Sequence, residues 1–248
     1  MKLKSIVKYN INNLKNSIGI YYLTFITICL ASVLLSGDGN VKSSGIELAS
    51  VIFLFVAGLN LFKESFYFMK SNNVSRKDFI YGTAISMIPV ALFIAIIDII
   101  INRIYNIFIK CPTLYDMGYA IGRGHWDNSV NWVQSNSIIT LFNSILFQAS
   151  LCLFAISLGF LITIIYYRCN KVMKVIISII PVILFNGVGI LGAALFPNLT
   201  MNIYKFVQFI FGINPVNVYA AILTFTVVFM IFIGIARLLT RKAVIKQG

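Results

Sequence analysis

Few side chains within the apolar stretches of this chain could do chemistry. The single histidine, His125, lies in a predicted loop, which excludes a histidine-rich metal site. Asp98 is the only acidic residue deep in an apolar run, and a carboxyl group in such a place is by default a functional candidate. Because Asn102 and Arg103 follow one turn later, Asp98 could instead reach the membrane interface or pair locally. We favour that interpretation over proton coupling.

Two further features, the cysteines and a glycine-rich run, do not support a reactive site. No two of the four cysteines form a CxxC pair, so all are predicted to be free thiols: Cys29, Cys111, Cys152 and Cys169. The run from Gly187 to Gly192 matches a dinucleotide fingerprint, but no strand precedes it and no acidic residue follows at the required spacing. In a membrane helix such small residues let another helix approach closely. We therefore predict that Gly187, Gly189 and Gly192 serve helix packing or dimer formation.

The composition places these residues in a membrane. Hydrophobic residues make up 59% of the chain and charged residues only 11%, whereas soluble chains average about 25% charged residues. The formal net charge of +13 would suggest a nucleic-acid partner in a soluble protein. Here the basic residues flank apolar stretches of spanning length, so the lipid bilayer is the expected partner and nucleic acid is not. The carboxylate and histidine sets of a membrane-embedded enzyme are missing, and we predict no catalytic activity.

The hydropathy pattern predicts an all-α integral membrane protein with one transmembrane domain, 1–248. A basic amphipathic segment, 1–17, is predicted to lie in the membrane interface as an elbow helix, with a disordered basic tail as the alternative. The six predicted spans cover 18–36, 46–62, 79–101, 138–167, 175–195 and 216–239.

The basic residues define an orientation for these spans. With the N-terminus in the cytoplasm, 15 of the 20 lysines and arginines fall on the cytoplasmic side. The five on the outer side are matched by five acidic residues there. This positive-inside bias predicts a multi-pass protein of the cell membrane with both termini in the cytoplasm.

Two outer segments are informative. The outer loop 102–137 contains both tryptophans, Trp126 and Trp132, which suit an aromatic anchor at the interface better than a substrate lid. The semi-apolar segment 196–214 lies between the fifth and sixth spans. It is too short to cross twice, so we predict a re-entrant hairpin on the outer side.

The cytoplasmic segment 63–78 mixes aromatic and basic side chains, which is typical of a surface that docks another protein. Its length predicts that the second helix runs past the membrane and turns through a short surface helix. A solvated basic loop that only sets topology is the alternative. The candidate docking residues are Lys63, Glu64, Phe68, Lys70, Asn72, Asn73, Val74, Ser75, Arg76, Lys77 and Asp78.

These features together resemble the type-2 ABC exporter permeases of Gram-positive bacteria. The similarity rests on the elbow helix, the six spans with both ends inside, the stretch Asn-Asn-Val-Ser-Arg-Lys at 72–77 and the hairpin before the last span. Many such permeases have a small-x-Ser-Arg-Lys segment in the loop that docks on the ATPase. Asn73 stands where a glycine is common, which predicts a less sharp turn. The short chain is also similar to the membrane subunits of phenol-soluble modulin exporters.

The resemblance implies a permease that exports amphipathic peptides, toxins or hydrophobic compounds. It implies a homodimer, or a heterodimer with a sister permease, bound to two cytoplasmic ABC ATPase subunits. The ATPase would bind ATP and magnesium, and this chain would bind no cofactor; its sequence contains no Walker A motif. Segment 63–78 would contact the ATPase, and substrate would pass between the permease copies along the first, second and fifth spans. The alternatives are an ATP-independent secondary transporter that depends on Asp98, or a small membrane immunity protein.

Overall fold

A computed structural model describes residues 2–35, 43–120, 133–186 and 196–241. For residues 2, 63, 64, 69, 70 and 181–186 it describes the backbone alone. These ranges contain helices and no strand. The helices are α1 (Lys2–Leu35), α2 (Leu48–Asn60), α3 (Lys63–Ser71), α4 (Arg76–Tyr105), a short π-helix (Asp116–Ala120), α5 (Ile138–Arg168), α6 (Lys171–Asn186), α7 (Pro197–Ile210) and α8 (Val218–Thr240).

Four of these helices, α1, α4, α5 and α8, are long and apolar enough to cross a membrane. The described chain is therefore all-helical, as predicted, and its apolar helices indicate a multi-pass membrane protein. The six spans are not all confirmed. The 13 residues of α2 extend about 20 Å at 1.5 Å per residue, less than the roughly 30 Å of a hydrocarbon core. The predicted fifth span continues from α6 into 187–195, which lie outside the described residues.

The predicted elbow helix is not separate from the first span. α1 runs without interruption for 34 residues, because the side of the helix that packs on α4 continues through both predicted segments. The Asn10 side chain donates a hydrogen bond to Thr83 Oγ1 at 3.2 Å, well within the predicted elbow. The buried residues that define this side recur every three or four positions: Ile6, Asn10, Leu14, Ile18, Tyr22 and Phe25.

The predicted re-entrant hairpin is likewise not confirmed. The described part of 196–214 contains one continuous helix, α7, followed by a turn. Gly212 in that turn has a φ of +55°, a conformation that glycine adopts without a steric cost. A Cβ atom at this position would lie 1.9 Å from the carbonyl oxygen of Asn217. The chain therefore needs glycine here to enter α8.

Side-chain contacts show which helices run parallel. Near the start of α5 and α8, Tyr219 donates a hydrogen bond to Asn143 Oδ1 at 3.1 Å. Near their ends, Arg168 Nη1 donates to the carbonyl oxygen of Leu239 at 3.0 Å. The two helices are therefore parallel.

α5 is the central helix and packs on α2, α4 and α8. Of an apolar 18-residue stretch of α5, 61% is buried inside the bundle. The corresponding stretch of α1, at the edge of the bundle, is only 17% buried. α2 meets α5 through two glycines. A Cβ atom on Gly58 would lie 2.2 Å from the Ile156 carbonyl oxygen, and one on Gly159 would lie 2.2 Å from the Phe55 carbonyl oxygen. Only the absence of side chains lets the two backbones approach so closely.

This contact was missed in the sequence, where the small-residue packing was assigned to Gly187, Gly189 and Gly192. Those three glycines lie outside the described residues. The close approach that the structure does describe involves two isolated glycines in apolar helices. An isolated glycine within a helix is a recognisable signal for such a contact.

We expect Gly159→Ala to destabilise the protein, because the new methyl group would collide with the backbone of α2. Overpacking of this kind costs roughly 1–3 kcal/mol. Thermal unfolding of the purified protein in detergent would measure the loss. Gly19→Ala is the matched control, since a Cβ atom there meets nothing within 4 Å. Equal unfolding temperatures for the two variants would contradict the close contact.

Candidate functional site

An aromatic cluster fixes the segment between α2 and α4 to the rest of the bundle. We define the aromatic cluster as Phe62, Phe66, Phe79, Phe160 and Tyr167. The ring centroids of Phe62 lie 4.9 Å from Phe66, 6.0 Å from Phe160 and 5.4 Å from Tyr167, and Phe66 lies 5.5 Å from Phe79. The four phenylalanines are fully or almost fully buried. Aromatic pairs in such geometry contribute about 0.5–1.5 kcal/mol each beyond the area that they bury.

The opposite side of α3 is open. Phe68 is 48% exposed, and its inner face stacks on Tyr9 of α1 with ring centroids 4.7 Å apart. Ser71 and Asn72, one turn further on, are exposed. α3 is the short helix that the sequence predicts after the second span. It is amphipathic, with one side held by the aromatic cluster and the other exposed.

The turn between α3 and α4 is sharp and well capped. Asn73 has a φ of +55°, in the left-handed region that asparagine tolerates better than most residues. The less sharp turn predicted from the absence of glycine is therefore not found. Ser75 caps α4, because its Oγ accepts a hydrogen bond from the Asp78 backbone N–H at 3.0 Å. Asp78 itself lies in the first turn of α4, where a negative charge is favourable.

Arg76 has an internal contact that the sequence did not predict. Its Nη1 donates hydrogen bonds to the carbonyl oxygens of Arg241 at 2.8 Å and Thr240 at 3.5 Å. These carbonyls end α8 and have no partner within the helix. With Arg168 on Leu239, two arginines from α4 and α5 thus cap the end of α8. Arg76 joins helices, and substituting it would disturb the bundle as well as any docking surface.

The predicted docking residues therefore fall into three groups. Val74, Arg76 and Asp78 are half-buried. Val74 packs against the core, and Arg76 bonds to the end of α8. The side chains of Lys63, Glu64 and Lys70 lie outside the description. The exposed members are Phe68, Asn72, Asn73, Ser75 and Lys77.

Asp98 lies in a polar cluster at the opposite end of the bundle. It is 1% exposed. Tyr22 and Ser50 donate hydrogen bonds to its Oδ1 at 2.8 and 2.7 Å, and Gln148 Nε2 donates to its Oδ2 at 3.0 Å. The donors come from α1, α2 and α5. The local pairing with Asn102 or Arg103 is thus not found, and Asp98 joins four helices instead.

Two further charged side chains at this end have buried polar atoms without hydrogen-bond partners among the described residues. Glu47, 1% exposed, makes no hydrogen bond through its carboxyl oxygens within the described part of the chain. The buried guanidinium nitrogens of Arg103 likewise make no hydrogen bond within the described part of the chain. Arg103 lies close enough to Asp116 and Glu47 to interact electrostatically with both. Buried polar groups without partners carry a free-energy cost. Their presence marks this end of the bundle as a place where protonation or rearrangement could be linked to function.

Sequence reasoning missed the partners of Asp98. Tyr22, Ser50 and Gln148 lie in separate apolar stretches, and nothing in one sequence shows that they share a depth and face one another. Their polarity within predicted spans was the available signal.

The structure describes no group of three or more His, Cys, Asp or Glu residues that could hold a metal ion within the ranges given above. All four cysteines are free thiols, as predicted. Burial raises the pKa of the Cys111 thiol, in the loop after α4, to about 11. Since the thiolate is the reactive form, Cys111 is a poor nucleophile at neutral pH.

Comparison with known proteins adds no family assignment. No family model matches the chain, and neither a curated protein nor a solved structure shows significant similarity to it. Function is therefore inferred from the geometry and from the sequence resemblance.

We expect Asp98→Leu to destabilise the protein by at least about 2 kcal/mol, because three buried donors would lose their acceptor. Asp98→Asn should cost less, since its amide oxygen can still accept from Tyr22 and Ser50. Unfolding in detergent would measure both. An equal loss in the two variants would show that these hydrogen bonds do not determine the stability of this end.

Proposed function

We propose that this chain is the permease subunit of an ABC exporter, forming the translocation pathway while a separate cytoplasmic ATPase hydrolyses ATP. The observation that carries this proposal is the two-sided helix α3. Its exposed side offers Phe68 and Asn72 to a partner, and its buried side is fixed to the bundle. Exposed aromatic side chains surrounded by polar residues are common at protein interfaces.

The aromatic cluster would pass movement from the ATPase into the membrane. Phe62 and Phe66 flank the start of α3, while Phe79 lies near the start of α4 and Phe160 near the end of α5. Close-packed interiors transmit displacement rather than absorb it. A push on α3 by the closing ATPase pair would therefore tilt α4 and α5, and with them the helices that pack on α5.

A cavity beside α1 supports a passage for amphipathic substrates. Its volume is about 640 Å³, and its walls come from α1, α2 and α5. Polar Asn13 and Ser17 line it together with apolar Phe53 and Val56. We propose that a second copy of the chain, or a sister permease, completes the passage along the first, second and fifth predicted spans. Amphipathic peptides, toxins and hydrophobic compounds suit such a mixed lining.

The basic end of the bundle would face the cytoplasm by the positive-inside rule. Arg76, Arg168 and Arg237 lie at this end, near the last turn of α8. In this proposal both termini are cytoplasmic, the cell is a Gram-positive bacterium, and ATP and magnesium bind only to the partner.

A second candidate, an ion-coupled secondary transporter, is favoured by one observation. Asp98 is buried in the bundle and hydrogen-bonded to three other helices, and the buried carboxyl group of Glu47, without a hydrogen bond in the described chain, lies at the same end. An ion-coupled secondary transporter would transport its substrate in vesicles without any ATPase, driven by an ion gradient. The Asp98→Asn variant would then lose transport. The ABC proposal requires the ATPase for any transport.

We expect Phe68→Asp to reduce co-purification of a co-expressed cytoplasmic ABC ATPase about tenfold, the effect of losing an interface contact of roughly 1.4 kcal/mol. Export in reconstituted vesicles should fall in parallel. Tyr9→Ala is the matched control, since it removes the same ring stack but leaves Phe68 in place.

Unchanged unfolding temperatures would show that both variants fold. Wild-type ATPase binding and export by Phe68→Asp would rule out α3 as the docking element. Equal losses in Phe68→Asp and Tyr9→Ala would show that the stack, and not the exposed ring, matters.

A further inference from the structure

The basic end of the bundle contains a cavity that the proposed transport function does not use. It lies between the start of α4 and the end of α8 and has a volume of about 690 Å³. Among the described residues that line it, none is acidic and four are basic: Arg76, Lys77, Arg237 and Arg241. Like charges this close repel one another, so an anion bound among them would be stabilised.

The guanidinium groups in this cavity are held in place. Arg237 Nη1 donates a hydrogen bond to the Tyr81 hydroxyl, and the guanidinium carbon lies 5.1 Å from the centroid of the Tyr81 ring. This cation–π contact orients the side chain. Arg76 is held by the carbonyl oxygens that end α8. Fixed guanidinium groups match the oxygens of a phosphate with little loss of side-chain freedom.

The rest of the lining includes an exposed apolar stretch of α8, formed by Gly234 and Leu238. Leu238 is 69% exposed, and a Cβ atom at Gly234 would meet nothing within 4 Å. Gly234 lies less than two turns before the end of a spanning helix, so the cavity is at the depth where a span leaves the hydrocarbon. A cluster of positive charge above an open apolar groove complements the two chemical halves of an anionic phospholipid.

We propose that this cavity binds the headgroup phosphate of an anionic phospholipid, whose acyl chains lie along α8 over Gly234 and Leu238. Basic pockets between membrane helices on the cytoplasmic side are suited to such headgroups. Inorganic phosphate shares the charge chemistry but would leave the apolar groove uncovered. Phe68 and Asn72, on which the docking proposal rests, do not line this cavity, although Arg76 and Lys77 of the predicted docking segment do.

The test is native mass spectrometry of the full chain released from nanodiscs of phosphatidylcholine and phosphatidylglycerol in phosphate-free buffer. The wild type should retain phosphatidylglycerol in preference to phosphatidylcholine. Arg237→Gln combined with Arg241→Gln should weaken retention about thirtyfold, the effect of two cationic side chains near a membrane surface. Gly234→Phe should abolish retention by filling the groove while leaving all four basic residues in place.

Gly19→Phe is the matched control, because it adds the same ring to another open position, on α1, and should retain the lipid. Unfolding temperatures identify any variant that fails to fold, and Gly234→Ala then replaces Gly234→Phe, with a partial loss expected. Equal retention of the two lipids by the wild type would overturn the proposal. A second pair of results would also overturn it: millimolar inorganic phosphate displaces the lipid, and the Gly234→Phe variant retains the lipid fully. These results would indicate a site for free phosphate.

Discussion

The packing of the aromatic cluster is the interaction on which this account depends. Its rings come from three separate parts of the chain, and they fix the short helix α3 to α4 and α5 at one end of the bundle. In the proposed function, these contacts let a partner bound at α3 act on the membrane helices. Because the rings are buried against α5, the central helix, the proposed coupling would carry a displacement of α3 to the helices that pack on α5.

The two ends of the bundle have opposite chemistry. At the end that holds the aromatic cluster, arginines cap α8 and surround a cationic cavity. At the other end, Asp98 accepts hydrogen bonds from three helices, and the carboxyl oxygens of Glu47 and the guanidinium nitrogens of Arg103 are buried without hydrogen bonds in the described chain. An outward-opening movement would change the surroundings of these charged groups, since helices that contribute donors to Asp98 also pack near α3. The exposed side of α3, the proposed docking surface, and the polar cluster are thus linked through the same helices.

The sequence was sufficient to predict helices, their apolar character and the short helix within 63–78, because hydropathy and spacing depend on local residues. It was insufficient for contacts that depend on which helix faces meet. The closest approach involves Gly58 and Gly159, not the glycine-rich run around Gly189. Asp98 bonds to other helices rather than to its own next turn, and Arg76 caps α8 rather than facing solvent. The continuity of α1 was also missed, since its polar residues suggested an interfacial segment although Asn10 has a buried partner on α4.

Whether the exposed side of α3 faces the cytoplasm is the question that tests the account most directly. Asn72→Cys, in a variant with Cys29 and Cys169 changed to serine, can be treated with a membrane-impermeant thiol reagent in intact cells. The account predicts no labelling until the cells are permeabilised. Asn136→Cys, exposed before the start of α5 at the other end of the bundle, should label in intact cells. Labelling of residue 72 in intact cells, with residue 136 protected, would contradict the account.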